Sequence, residues 1–357
     1  MMSRVTVSVN VTVEQENHST TRPRCPEVDD QLSTWAKRKK TARTMAAAMK
    51  RIGHEGRAAR MWGCGETMET MECPKGDHRH VVRSTYCRDR MCPICAAGRA
   101  RKMAREMTCE VGELIKRDPE THWILLTLTT PNVTDDKLHD EVRRVVGGWR
   151  EMARRTTITG AAKGWVRRLE LTYNAKEKTH HVHVHVMMAV DEDYYYNEKK
   201  YRTQAEFVEA WAKAIGHDLG NGPLIVDVRA ADAAVEEVAK YCAKPWEIAD
   251  GGNDPAIVAV VDAMKGVRTA AWGGLWRKVR YELGHVDDDK MADEDSDVML
   301  CPVCKTPLQA AIYRWAGADY VADPGRELHY VGPDGTLYYK GPWYDHGVDL
   351  KKKIVVQ

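Results

Sequence analysis

A chain of 357 residues can bury one large core, or a main domain with small modules attached. Apolar residues make up 43% and charged residues 30%, and no apolar run approaches the length of about 18 residues that spans a bilayer, which predicts a soluble protein with no membrane partner. The net charge of +2 averages two unlike regions: residues 37–60 are densely basic (KRKKTAR, KRIGHEGRAAR) and residues 287–297 read DDDKMADEDSD, a contrast that suits a nucleic-acid face and an acidic linker.

In chain order, residues 1–33 are polar and aperiodic, and predict a loose tail with at most one strand at VTVSVNVTV. Ala, Lys, Arg and Met then favour helix from Thr34 to about Arg60, ahead of a cysteine module over 61–97. Helix resumes across GRARKMAREMTCEVGELIKRD and stops at Pro119, so that 34–110 form a basic helical region with the cysteine module. HWILLTLTT (122–130) reads as a strand, 135–155 as a helix, and GWVRRLELTYN (164–174) with HHVHVHVMMAV (180–190) as a hairpin. A Tyr-rich loop, a helix near 203–216, a strand at PLIVDVR and a helix at AAVEEVAKYCAK complete a mixed strand-and-helix domain over 118–250. Helical segments and the acidic linker occupy 255–297, and a C-terminal module over 298–357 carries a second C-x-x-C.

The strand at 180–190 carries the most specific chemistry. Side chains alternate faces along a strand, so His181, His183 and His185 share one face while Val182, Val184 and Val186 share the other. A half-buried structural strand would explain one H-x-H pair. Three histidines with every alternate position apolar point instead to a divalent-metal site built on His183 and His185. The preceding hairpin strand offers Glu170 as a third ligand, a carboxylate that suits Mg²⁺ or Mn²⁺, while His181 is a further ligand candidate or a DNA contact.

Glu237, Tyr241 and Lys244 stand at spacings of four and three, which puts them on one face of a helix. A tyrosine hydroxyl with a pKa near 10 is a weak nucleophile at neutral pH; a nearby ammonium and a metal-polarised phosphate would ease its attack. The pattern alone is common on amphipathic helices and gains force beside the histidine strand.

Of ten cysteines, those in short-spaced clusters read, in a chain without an export signal, as metal ligands rather than disulfides, in a reducing cytoplasm, while Cys25, Cys109 and Cys242 are single thiols without assigned chemistry. In CRDRMCPIC, Cys87, Cys92 and Cys95 offer thiolates for a structural Zn²⁺, with Cys64 or Cys73 as the fourth ligand and His78 and His80 as further candidates. Arg88, Arg90, Arg99, Arg101 and Lys102 around it are candidate phosphate contacts. Cys301 and Cys304 supply half of a second zinc site, whose partners are Cys64 or Cys73, a histidine such as His285 or His329, or none. No G-x-x-x-x-G-K-[ST] occurs, so the sequence carries no P-loop ATPase signature.

Taken together, ILLTLTTPN, GWVRRLELTYN, HHVHVHVMM and EEVAKYCAK, in that order, resemble the HUH endonucleases, and more narrowly the rolling-circle replication initiators of small plasmids. CRDRMCPIC is similar to that family's C-x-x-R-x-C-P-x-C module, and AWGGLWRKV fits a distal segment of it. One departure is Val182, where the family has proline. The resemblance, over roughly 60–285, implies an α+β fold: a central antiparallel sheet flanked by helices, with an N-terminal zinc module and a small C-terminal module. It implies that His183 and His185 hold the metal, that Tyr241 nicks single-stranded origin DNA in an extruded hairpin, and that Glu237 ends the reaction by hydrolysis. A host helicase and polymerase are the implied partners, and the C-terminal module is left to DNA support or self-association.

Two rivals make different predictions. A single-strand transposase with this type of zinc module would carry a second tyrosine one turn from the first, where this chain has Glu237 and Pro245. Mobilisation relaxases place the tyrosine before the histidine strand, and here it follows. A zinc-ribbon DNA binder without catalysis would be indifferent to loss of Tyr241.

Overall fold

The computed structural model describes residues 32–74, 79–222, 224–230, 245–285, 306, 309–323, 327–331 and 337–340. The fold is α+β, with all strand pairs antiparallel.

The basic N-terminal region forms two helices, α1 (Leu32–Arg51) and α2 (Glu55–Trp62), rather than one continuous helix. Gly53, at a φ of +85°, supplies the left-handed residue that ends α1, and the chain turns there. Two strands follow, β1 (Thr67–Glu72) and β2 (Arg79–Ser84), inside the stretch read from sequence only as a cysteine module. Helix α3 (Pro93–Arg117) begins with a proline in its first turn, where the missing N–H costs nothing, and so starts five residues before the sequence pattern suggests.

The main sheet comes next. Strand β3 (His122–Thr129) is followed by α4 (Leu138–Met152), the single turn α5 (Thr156–Thr159), and the hairpin β4 (Ala162–Asn174) and β5 (Thr179–Val190). Helix α6 (Gln204–Ile215) opens with a reciprocal capping box between Thr203 and Glu206 and closes on left-handed Gly216. Strand β6 (Val226–Ala230), helices α7 (Pro245–Asp250) and α8 (Asp254–Ala263), strand β7 (Ala270–Gly273) and helix α9 (Gly274–Glu282) complete this part. The five strands lie in the order β6-β3-β5-β4-β7, so the histidine strand β5 is central. Strand β7 interrupts a region whose composition reads as wholly helical.

Each face of this sheet has its own cover. Val182, Val184, Val186 and Met188 of β5 join Leu126, Leu128 and Leu169 in a core closed by α4, α6 and α8, where Trp149, Phe207, Trp211 and Ile257 are buried. Full burial of such side chains stabilises by about 1.5–3 kcal/mol each. At Gly148 of α4 an added Cβ would sit 2.4 Å from Ile215, so only glycine allows α4 and α6 to meet this closely.

On the opposite face, Trp123, Leu125, Val166, Met187 and Ala189 pack under Met103, Met107 and Leu114 of α3 and Trp276 and Val279 of α9. Gly274 starts α9 with a φ of +59°, and a Cβ there would lie 2.4 Å from the Lys163 carbonyl. A buried carboxylate joins the two helices: Glu110 accepts from Trp276 Nε1 at 2.7 Å, Arg280 Nη1 at 2.6 Å and His285 Nδ1 at 3.0 Å.

A second sheet, in the order β2-β1-β8-β9, joins the two ends of the described chain: β8 (Gln309–Trp315) and β9 (Tyr320–Ala322) extend the cysteine module's own hairpin. The N- and C-terminal modules, distinct in the sequence reading, thus share one sheet. The last strands, β10 (Glu327–Val331) and β11 (Leu337–Lys340), pair with each other. No helix among the described residues is long and apolar enough to cross a membrane.

Candidate metal centres

The face of the main sheet that packs under α3 and α9 is apolar at one end and polar at the other. Register sets this division. Across β4 and β5, Glu170 is opposite His183 and Arg168 opposite His185; across β3 and β5, Thr127 is opposite His185 and Thr129 opposite His183. Two and four residues beyond His185 along β5, at Met187 and Ala189, the same face is Trp- and Met-lined core.

At the polar end Glu170 Oε2 lies 2.9 Å from His185 Nε2 and 3.3 Å from His183 Nε2. One donor atom from each residue falls within 4.8 Å of the others, the compactness a single ion requires. All three side chains are largely buried, at 18%, 11% and 9% exposure for Glu170, His183 and His185, so the ligands are held by packing. Burial pushes the Glu170 carboxyl up, but hydrogen bonds from His183 and His185 outweigh it and hold the group well below the usual carboxylate range. Thr127 Oγ1 stands 3.1 Å from His185 Nδ1, an outer contact that fixes the ring and keeps Nε2 toward Glu170. Two imidazoles and one ionised carboxylate fit a divalent cation such as Mg²⁺ or Mn²⁺.

His181 continues the row, its ring centroid 5.0 Å from that of His183, but its Nδ1 is engaged with Asn132 Oδ1 at 2.9 Å and it stands outside the three-residue group. Burial and then His183 lower its pKa.

The second group is Cys64, Cys87, Cys92 and Cys95, again with all donor atoms within 4.8 Å. The Cys64–Cys95 and Cys87–Cys95 sulfur separations are 3.5 and 3.6 Å. A tetrahedral Zn²⁺ about 2.3 Å from each sulfur would set them about 3.8 Å apart, so the cage fits. Of Cys64 and Cys73, between which the sequence left the fourth position open, it is Cys64 that joins this group. Cys73 lies elsewhere, at the end of β1, with its Sγ 3.2 Å from Thr306 Oγ1. Hydrogen bonding among the four thiols pulls Cys95 and Cys87 down and Cys64 and Cys92 up, as expected where several sulfurs share too few protons.

The loop around this cage is fixed from outside. Arg57 makes a two-pronged contact with Asp89, at 2.7 and 2.9 Å, and Asp89 Oδ1 accepts from Met91 N. Fully buried Lys39 donates to the Trp62 and Cys64 carbonyls, both at 2.7 Å, and pairs with Glu66.

Four of the basic residues expected at phosphate contribute to this internal framework. Arg99 donates to the carbonyls of Arg88 and Asp89, and Arg90 to that of Val267. Arg101 lies over the Trp35 ring at 5.4 Å, and Lys102 pairs with Glu106 at 3.6 Å. Arg88 is exposed, at a φ of 60°. Glu237, Tyr241 and Lys244, and likewise His78, Cys301 and Cys304, lie outside the described residues. Thr127 and Arg168 escaped the sequence reading; counting two residues along each strand from Thr129 and Glu170 would have found them.

The replication protein family matches residues 78–321. A "Protein rep" of Lactiplantibacillus plantarum is 26% identical over 239 residues, covering 64% of this chain and 75% of the relative. One from Bacillus amyloliquefaciens is 28% identical over 299 residues, covering 74% and 87%. One from Staphylococcus aureus is 34% identical over 140 residues, covering 39% and 61%. No solved structure matches the chain. The match over 78–321 and the rep relatives place the chain in the replication protein family, the rolling-circle replication initiators of plasmids.

Proposed function

We propose that this initiator is an HUH endonuclease that nicks one strand of origin DNA, joining itself to the 5′ end and leaving a 3′-OH primer. The observation that carries the reading is the Glu170–His183–His185 group on the central strands of an antiparallel sheet, in a chain of the replication protein family.

A divalent ion bound there would supply positive charge to a phosphodiester. Glu170, His183 and His185 hold that position, and Thr127 keeps His185 oriented toward it. Tyr241 is the nucleophile: its oxygen bonds to phosphorus, the bond from phosphorus to the 3′ oxygen breaks, and that oxygen leaves as a 3′-hydroxyl. Lys244, one turn beyond, favours loss of the phenolic proton. The energy of the phosphodiester is kept in the phosphotyrosine link, so rejoining needs no ATP. Glu237 later activates water to release the finished strand. Host helicase and polymerase then act on the opened strand.

The four-thiol cage is assigned a structural Zn²⁺, and we assign Cys301 and Cys304 to a second one with Cys73. The pairing of β1 with β8 supports that choice, because Thr306, which touches Cys73, is two residues after Cys304.

The test is incubation of the purified chain with labelled single-stranded DNA of its origin and Mn²⁺. A covalent adduct absent in Tyr241→Phe, with nicking lost in His183→Ala, supports the proposal. Origin binding with neither product would leave a DNA-binding protein without this chemistry.

A further inference from the structure

Arg168 shares a face of β4 with Glu170, two residues away, and stands opposite His185 in the β4–β5 register. Directly opposed residues of an antiparallel pair have Cβ atoms about 5 Å apart, so the Arg168 side chain starts beside that of His185. Its Nη1 is 3.4 Å from Met103 Sδ and 3.4 Å from Thr269 Oγ1, neutral contacts at the boundary between the apolar and polar halves of the face.

Thr269 is a fixed support. Its carbonyl accepts from Leu169 N at 2.8 Å and Arg167 Nη1 at 3.1 Å, and two residues earlier the Val267 carbonyl accepts from Arg90 at 2.8 Å. A phosphodiester presents two non-bridging oxygens, and the planar guanidinium fork is the side chain best matched to them.

We propose that Arg168 binds the non-bridging oxygens of the DNA phosphate delivered to the Glu170–His183–His185 group and stabilises the charge that builds on it as the strand is cut. This rests on the nicking reading above. Arg168 keeps its proton throughout, and the bonds made and broken are those already described.

The experiment uses the full chain, Mn²⁺, and overlapping single-stranded oligonucleotides tiled across the DNA that encodes it. Wild type, Arg168→Ala, Arg168→Lys and His183→Ala are compared for the rate of covalent adduct formation, and for Mn²⁺ affinity without DNA by paramagnetic resonance. Arg168→Ala is expected to slow kcat about 10²-fold at unchanged Mn²⁺ affinity. Arg168→Lys should regain about tenfold of that, since it restores charge but not the fork. An adduct rate in Arg168→Ala equal to wild type overturns the role. So does loss of Mn²⁺ binding in Arg168→Lys, which would mark Arg168 as a support of the site. Absence of any adduct in wild type overturns the nicking reading itself, and Arg168's role with it; that outcome is distinguished by the wild-type reaction alone.

Discussion

Thr127 Oγ1 lies 3.1 Å from His185 Nδ1, across the β3–β5 pair, while the same ring's Nε2 lies 2.9 Å from Glu170. One imidazole is thus held from both sides by neighbouring strands, and its metal-facing nitrogen is selected by a hydroxyl on β3. Replacing that hydroxyl by a methyl group keeps the shape and removes the hold. Thr127→Val is expected to weaken Mn²⁺ binding about 10-fold or more, read by titration of the DNA-free protein, with little change in thermal midpoint.

The cysteine cage predicts a different response. Cys92→Ser should lose the zinc of that cage and destabilise the module, because a metal bound only in the folded state contributes its binding energy to folding. Zinc content by mass spectrometry and the near-ultraviolet signal of the buried tryptophans report it. Cys73→Ser should leave the four-thiol cage loaded; equal zinc loss from that cage in both variants would contradict the separation of Cys73 from it.

Glu110 predicts a stability effect remote from both metal groups. Its carboxylate is fully buried and receives Trp276, Arg280 and His285. Glu110→Ala removes a partner from a buried guanidinium and an indole N–H, and should cost about 3–5 kcal/mol in urea unfolding. The larger part of that loss should be regained when Arg280→Met is added.

The depressed carboxyl of Glu170 sets a pH dependence for the metal-free protein. Its folded pKa lies below the unfolded value of about 4.3, so the stability it contributes is complete above that pH and is lost as pH falls toward the folded value. The stability gap between wild type and Glu170→Gln, measured without metal, should therefore be constant near neutrality and narrow below about pH 4. A gap that widens on acidification would reverse the sign.

The histidine strand was legible because its period of two is unbroken: valines had to face a core, and the histidines had to share the other face. Glu170 was marked only as a carboxylate on the preceding hairpin strand; that it lies opposite His183 is set by a register the loop alone does not spell out. The choice between Cys64 and Cys73 was not legible. It depends on the β1–β2 hairpin, which sets Cys64 beside Cys87 and carries Cys73 to the other end of β1, and neither short strand shows a period in the sequence. Strand β7 was hidden for a similar reason: four residues, Ala270–Gly273, are too few to show a period, and their pairing with β4 is a tertiary choice. The four occupied basic residues around the cysteine loop show the limit of charge density as a signal. Sequence places the cations near one another, and folding decides which of them face carbonyls.

The β1–β8 pairing has a consequence for how the protein is made. Thr70 Oγ1 donates to the carbonyl of Ala311, a partner 241 positions later. On the ribosome, the hairpin of β1 and β2 emerges long before the strand that covers its open edge, and the main sheet has already been synthesised in between. The edge of β1 therefore waits unpaired through most of translation, and every product that stops short of β8 leaves it so. Completion of the N-terminal module thus comes late in synthesis, and prematurely ended chains should be marked for aggregation or proteolysis by that bare strand.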